Sequence, residues 1–374
     1  MQILTVDVGT GTQDVFLFDP ELDIENGFKL VVPSPTMIVH RRIKAATLKG
    51  HDVLLTGHLM GGGPSLWAAR DHVRAGHTVY ATVDAARTFN DDIVYVQTEL
   101  GIKIVDDNDS STLPNAIHIE MKDFDFEALR LAFATFGVEL RPDAIGVAVF
   151  DHGDAPANYS DRQFRFDYLD RRIRALNRLS AFAYLAEDTP PMMTRLRAVV
   201  GSHHGVAPLV VMDTAPAAVL GAAFDPLAAT HPRAIYVNVG NFHTLAFRMG
   251  PGGIEGIFEH HTGEINSVKL DRFISKLADG TLQHADVFDD QGHGALMYHQ
   301  GALPNPKVIV TGPRRSLMRG SIHNPYFAVP FGDMMIAGCF GLLSAMSDVL
   351  PPGNVREAIR ESLKGKLGRP PWEV

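Results

Sequence analysis

The turn Asp7-Val8-Gly9-Thr10-Gly11-Thr12-Gln13 gathers a carboxylate, hydroxyls, an amide and two glycines into one short stretch. Glycine lacks a Cβ and tolerates unusual backbone angles, so such a turn can aim closely spaced N–H groups and hydroxyls at a phosphate. Asp7 ends the apolar run that begins at Ile3. It supplies the carboxylate that a hydrated magnesium ion beside a triphosphate requires, since magnesium keeps several of its waters. The same residues also suit a plain hairpin, with Gly9 and Gly11 shaping the turn and Asp7 capping it.

Histidine is the second chemical signal. The chain holds 17, several of them beside glycine and acids in the segments FDHGD, GSHHG, FEHHTGE and DDQGHG. His152, His203, His204, His260, His261 and His293 could converge on one transition-metal or substrate site, with Asp151, Asp154, Glu259 and Glu264 adding carboxylates. No pair has the spacing of an HExxH helix, and a hydrogen bond within its own loop accounts for any single one equally well. Asp151 follows the core-strand pattern AIGVAVF, where a strand end hangs a carboxylate over a cleft. It is a candidate general base, with a salt-bridged turn as the competing account. The glycines of GHLMGGGPS precede a helical pattern and offer N–H groups to an anion, but the spacing misses GxGxxG and helix capping explains them better.

These residues need elements to hold them. ILTVDVGTGTQDVFLFDP reads as strand, tight turn and returning strand, and RAIYVNVGNFHTLAFRMG repeats that layout far downstream. Each is followed by a strand and a helix rich in small residues, APLVVMDTAPAAVLGAAFDP and YFAVPFGDMMIAGCFGLLSAM. Ala215, Ala217, Ala218, Gly221 and Ala222 in the first, with Ala337, Gly338 and Gly341 in the second, let two helix backbones cross closely. Two related lobes follow, one over 1–225 and one over 226–374, with an inserted region at about 35–142. Within the insertion, DVLLTGHLMGGGPSLWAARDHVRAGHTVYAT is a βαβ unit; beyond it, YLDRRIRALNRLSAFAYLAED has helical spacing with a solvated basic side.

In this order the segments resemble the superfamily of actin, sugar kinases and heat-shock chaperone ATPases. DVGTGTQDVFLF resembles the first phosphate loop, MDTAPAAVLGAAFD the first connecting helix, NVGNFHTLAF the second phosphate loop and VIVTGPRRSLM the adenosine segment. AGCFGLLSAM is a weaker match to the second connecting helix. The chain as a whole resembles an uncharacterised family of that superfamily whose members carry a pyruvate formate-lyase activating enzyme label. The resemblance implies an α/β fold of two related actin-like, ribonuclease H-like lobes around a central cleft, with an α/β insertion in the N-terminal lobe.

It also implies ATP and magnesium as cofactors. Gly9, Thr10, Gly11 and Thr12 would contact the β- and γ-phosphates, with the Gln13 amide close by. Asp7 would hold magnesium through water, Asp213 would orient the water that attacks the γ-phosphate, and Gly312 would lie against adenine and ribose. Asn238, Gly240 and Asn241 form the second loop. This loop departs from the pattern, since Asn238 is neutral where Asp is usual, and Phe242 and His243 crowd the phosphates. Pro313 replaces a glycine and is followed by Arg314 and Arg315. A magnesium-dependent ATPase or small-molecule phosphotransferase is the leading reading. A non-hydrolysing nucleotide sensor with a protein partner, and a histidine-metal hydrolase on the same scaffold, are the alternatives.

Composition limits the rest. The 374 residues are 45% hydrophobic, and the net charge of −9 disfavours nucleic acid or an anionic membrane as a partner. A nucleotide and a small molecule fit better. The single cysteine, Cys339, excludes an internal disulfide and the three thiolates of a radical enzyme's iron–sulfur cluster. With no secretory pattern before Ile3 and no apolar run long enough to span a bilayer, a cytoplasmic protein is expected.

Overall fold

The computed structural model describes residues 1–106, 113 and 115–373. Apolar, β-branched and aromatic residues after Gln2 form β1 (Ile3–Val8), β2 (Thr12–Phe18) and β3 (Phe28–Pro33), paired antiparallel in sequence. All of β1 is buried, which fits a strand covered on both faces.

The chain then leaves this sheet. It builds a parallel sheet from β4 (Val53–Gly57), β5 (Val79–Ala81), β6 (Lys103–Ile104) and β7 (Ile117–Met121), in the order β6-β5-β4-β7. The helix Pro64–Arg74 joins β4 to β5, making the expected βαβ unit. Its core of Val53, Leu55, Ala69, Val79 and Ile119 is separate from the cores of the two lobes.

On return the chain lays β8 (Ala144–Val149) parallel beside β1, followed by β9 (Ala183–Leu185) and β10 (Leu209–Asp213). The first sheet has the order β3-β2-β1-β8-β10-β9. A second sheet contains β11 (Ala234–Val239), β12 (His243–Gly250), β13 (Gly253–His261), β14 (Gly294–Met297), β15 (Val308–Thr311) and β16 (Tyr326–Phe327). Its order is β14-β13-β12-β11-β15-β16. Without the edge strands β9 and β14, both sheets have the same plan. Three antiparallel strands lead into two parallel ones beside the first strand. That is the ribonuclease H-like lobe of the actin superfamily, present twice. Even the turns agree, as Gly9 N donates to Thr12 O and Gly240 N to His243 O, both at 2.9 Å.

The helices Thr214–Ala222 and Ala337–Val349 cross in direct backbone contact. A Cβ on Gly221 would overlap Ala337 O, and one on Gly341 would overlap Ala217 O. The second of these helices, although late in the chain, covers the first sheet. Its Cys339, Phe340, Leu342 and Met346 pack on Ile3, Phe16, Phe18, Val210 and Met212. Another apolar cluster runs through both lobes, from Val6, Val147 and Val211 to Phe247, Ile257 and Ile309. The segment 168–188 is not one helix: Asp161–Ala175 is helical, and a 3-10 turn at Leu179–Phe182 then leads into β9. Its basic side is only partly solvated, because Arg172 turns inward to donate to Ala181 O. Among the described residues no helix is long and apolar enough to cross a membrane.

Candidate functional site

Both hairpin turns open into one cavity of about 390 Å³ between the lobes. Gly9, Thr10 and Thr12 line it from the first lobe, and Asn238, Gly240, Asn241, His243 and Gly312 from the second. The starts of the two crossing helices form its floor with Thr214, Ala215, Ala337 and Gly338, and the insertion adds the loops Leu59–Gly63 and Arg87–Asp91. The turns almost touch, since a Cβ on Gly11 would lie 2.5 Å from Asn241 Nδ2. Ser34 Oγ donates to Thr10 O at 2.6 Å and steadies the first turn.

Strand alternation decides which side chains of β2 face the cavity. Thr12 and Asp14 do. Gln13, expected to offer its amide to phosphate, turns the other way and donates to Pro33 O on β3 at 3.1 Å. Asp14 went unnoticed in the sequence although the hairpin itself points to it, because it stands directly opposite Asp7 in the β1–β2 register. Asp7 Oδ1 accepts a hydrogen bond from Thr214 Oγ1 at 2.5 Å, and its other oxygen abuts Gly338, where a Cβ would overlap it. Asp14 Oδ1 is buried with no hydrogen-bond partner among the described residues. Burial pushes the pKa of Asp7 up to about 6, against the Thr214 hydrogen bond. Burial together with the charge of Asp7 pushes Asp14 up to about 8.

The third expected acid behaves differently. Asp213 caps the helix that follows it by accepting from Ala215 N at 2.9 Å, and it pairs with Arg165 Nη1 at 2.6 Å. It is 1% exposed and does not line the cavity, so it is not free to orient an attacking water. Arg165 also reaches Glu259 on β13 at 2.9 Å and donates to Asp151 O at 2.7 Å, tying the two lobes together beneath the cleft. Burial disfavours ionisation of Glu259, yet Arg165 and His293 hold its pKa well below the usual carboxylate range. Asp151 lines the cavity as expected of a strand-end carboxylate. Its oxygens accept from Gly153 N and Leu196 N at 2.8 and 2.9 Å, and burial raises its pKa to about 6.

Of the six histidines singled out, three come together. His152, His261 and His293 meet with His243, which the sequence had suggested only as an obstruction to phosphate. Ring centroids are 5.1 Å apart for His152 and His293, 5.0 Å for His243 and His293, and 4.7 Å for His261 and His293. His243 and His261 are cross-strand partners on β12 and β13, which places them on one face. His260, the neighbour of His261 along the strand, must face the opposite way, and its Nε2 meets Asp290 O at 2.9 Å. His203 closes its own loop, with Nε2 at 2.8 Å from Ala207 O, and His204 is exposed. Burial first, then the nearby His293, drives the pKa values of His152 and His243 well below the ordinary value and that of His261 to about 4.

The sequence profile of a family described as "Putative pyruvate format-lyase activating enzyme (DUF1786)" matches residues 60–317. The chain belongs to this family. That description and the residues do not agree on iron–sulfur chemistry, since the only cysteine, Cys339, is buried on the helix Ala337–Val349 with its thiol against the first sheet. No curated protein matches the chain in sequence. Solved structures similar to it include a ROK hexokinase from Thermus thermophilus, at 13% identity over 68% of this chain and a TM-score of 0.24. The match spans 47% of that hexokinase, less than half its length. The ethanolamine utilization protein EutJ from Carboxydothermus hydrogenoformans matches over 91% of this chain and 89% of its own, at 11% identity and a TM-score of 0.30. An exopolyphosphatase-like protein matches over 83% of this chain and 65% of its own, at 12% identity and a TM-score of 0.23. At such values the assignment of the fold rests on the repeated strand order.

Proposed function

We propose that the cleft binds a nucleoside triphosphate with magnesium and that the protein turns it over, as an ATPase or as a phosphotransferase to a small acceptor. One observation carries this reading: two matching glycine turns face each other across a cavity in which Asp7 and Asp14 are buried side by side, Asp14 with an unpartnered oxygen. Burying two carboxylates without a cation is unfavourable, and a magnesium ion beside a triphosphate would remove the conflict. The residues therefore fit the group. Asp7 and Asp14 would hold the ion through its waters, while Thr10, Thr12, Asn241 and the turn N–H groups would hold phosphate oxygens. Gly312 and Pro313, with Met334 and Met335 on the same cavity wall, offer backbone and apolar surface to a base. When bound, magnesium neutralises charge on the phosphates, and the chain's own part is to position them and exclude water. Asp151 suits the role of base toward an acceptor hydroxyl.

A second reading has its own support. Arg165 occupies the acid expected to orient water, and Phe242 reaches from the second turn to the insertion, 6.1 Å from Trp67 between ring centroids. Both features favour slow turnover and a nucleotide sensor that signals to a protein partner. Calorimetric titration with ATP and ADP, with and without magnesium, tests binding. Thr10→Val is expected to lose about tenfold in affinity, the worth of one hydrogen bond to a charged group. Phosphate release in the same samples separates an enzyme from a sensor. No binding under any of these conditions would refute both readings.

A further inference from the structure

We infer that His152, His243 and His293 form a three-imidazole site for a transition metal of the zinc type, with its fourth position open to the cleft. The three residues come from separate elements: the loop after β8 in the first lobe, the start of β12, and the loop before β14 in the second lobe. One ligand atom from each lies within 4.8 Å of the other two. A tetrahedral ion with Zn–N bonds of about 2.0 Å places its nitrogens about 3.3 Å apart, so ring movements of about 1 Å close the site.

The hydrogen bonds point the same way. Among the described residues, His243 Nε2 and His293 Nε2 are buried with no hydrogen-bond partner, whereas buried polar atoms are nearly always paired. A metal supplies what they lack. His293 Nδ1 lies 2.8 Å from Glu259 Oε1, though without the alignment of a hydrogen bond, and Arg165 fixes that carboxylate from its other side. A carboxylate behind an imidazole is how metal sites orient a ligand ring, and here it leaves Nε2 for the ion. Phe150 stacks on His243 at 4.0 Å and holds that ring as well.

Ligand type selects the metal. Imidazole nitrogens suit zinc and its neighbours in the transition series, whereas magnesium and calcium prefer oxygen. Three protein ligands leave one position for an exchangeable water, which such an ion acidifies toward neutral pH. His152 and His243 line the cavity, so that water would face the space into which the hairpin turns open. This site shares the cavity with the carboxylate pair of Asp7 and Asp14 but none of their residues, and it stands apart from the nucleotide reading.

The test is metal uptake by the full chain. Protein stripped with a chelator is titrated with Zn²⁺ and with Co²⁺. Elemental analysis counts the bound metal, and visible absorption reports the coordination of cobalt. About one equivalent per chain is expected, with the bands of four-coordinate Co²⁺. His152→Ala and His243→Ala should each lose stoichiometric binding with an unchanged circular dichroism spectrum, and His203→Ala, outside the cluster, should keep it. Thr10→Val should also keep it, which separates failure here from failure of nucleotide binding. Wild-type protein that takes up no stoichiometric zinc would overturn the site whatever the variants do, and so would full uptake by a folded His152→Ala/His243→Ala double variant.

Discussion

Replacing Asp14 by asparagine should make the metal-free protein more stable near neutral pH while weakening its response to magnesium. The two side chains have nearly the same shape, so the charge is what changes. Asp14 is 8% exposed, and its pKa rises from 3.8 to about 8 in the folded protein. The unfolded chain ionises at the ordinary value, so the folded state holds the extra proton between those limits. Stability from the neutral carboxyl is fully present below about pH 4 and is lost as pH rises toward about 8, at up to about 1.36 kcal/mol per pH unit. Across that window the ceiling is about 6 kcal/mol. Relaxation and water entry around a buried ion lower such penalties, and about 3 kcal/mol is the difference to expect. Urea unfolding from pH 4 to pH 9 in the presence of chelator measures it. The curves of wild type and Asp14→Asn should agree near pH 4 and diverge toward pH 8, wild type being the less stable. Magnesium should then raise the wild type near pH 8 and leave the variant almost unchanged. Curves that stay parallel over the whole range would refute the idea of an uncompensated carboxylate in the cleft.

Arg165→Met leaves Asp213 and Glu259 buried without their cation, and a loss of about 3–5 kcal/mol is expected from urea unfolding. Adding Asp213→Asn and Glu259→Gln to that variant should recover part of the loss. Gly221→Ala places a methyl group against Ala337 O at the helix crossing, and overpacking there should cost about 1–3 kcal/mol in a thermal melt. If the protein turns over nucleotide with Asp151 as base, the rate should rise with pH through about 6, where the buried carboxyl gives up its proton, and Asp151→Asn should abolish that limb of the profile.

The lobes were legible because their signals are local. A glycine turn between two alternating apolar runs specifies a hairpin by itself, and two such hairpins with matching sequels specify a repeat. Ala and Gly at 215–222 and 337–341 announced the close crossing for the same reason, since small residues are the only ones that fit there. The side chains around the cleft were harder to read. Asp14 could have been found by counting across the turn, as residues 7 and 14 are equally far from its centre, but inside a strand it looked like one more polar position. Nothing along the chain links His152, His243 and His293, because they meet only after strands from both lobes have been placed. Asp213 was assigned by its position before a helix, and its engagement depends on Arg165, whose burial no local pattern reveals. Of the adjacent pair His260 and His261, alternation on β13 allowed only one to join the cluster, and which one depended on the face that β12 covers.

The helix at 337–349 has a consequence for how the protein is made. It shields the face of the first sheet formed by Ile3, Phe16, Phe18, Val210 and Met212, yet it is synthesised more than a hundred residues after the last of these strands. While the strands of the second lobe are being made, that face lacks the cover of this helix. The nascent protein therefore carries an unshielded apolar surface until residues 337–349 emerge, the condition under which chains stick to one another or recruit chaperones. A product that stops after residue 225 would keep that surface permanently, and it should be recovered as aggregate rather than as a separate lobe.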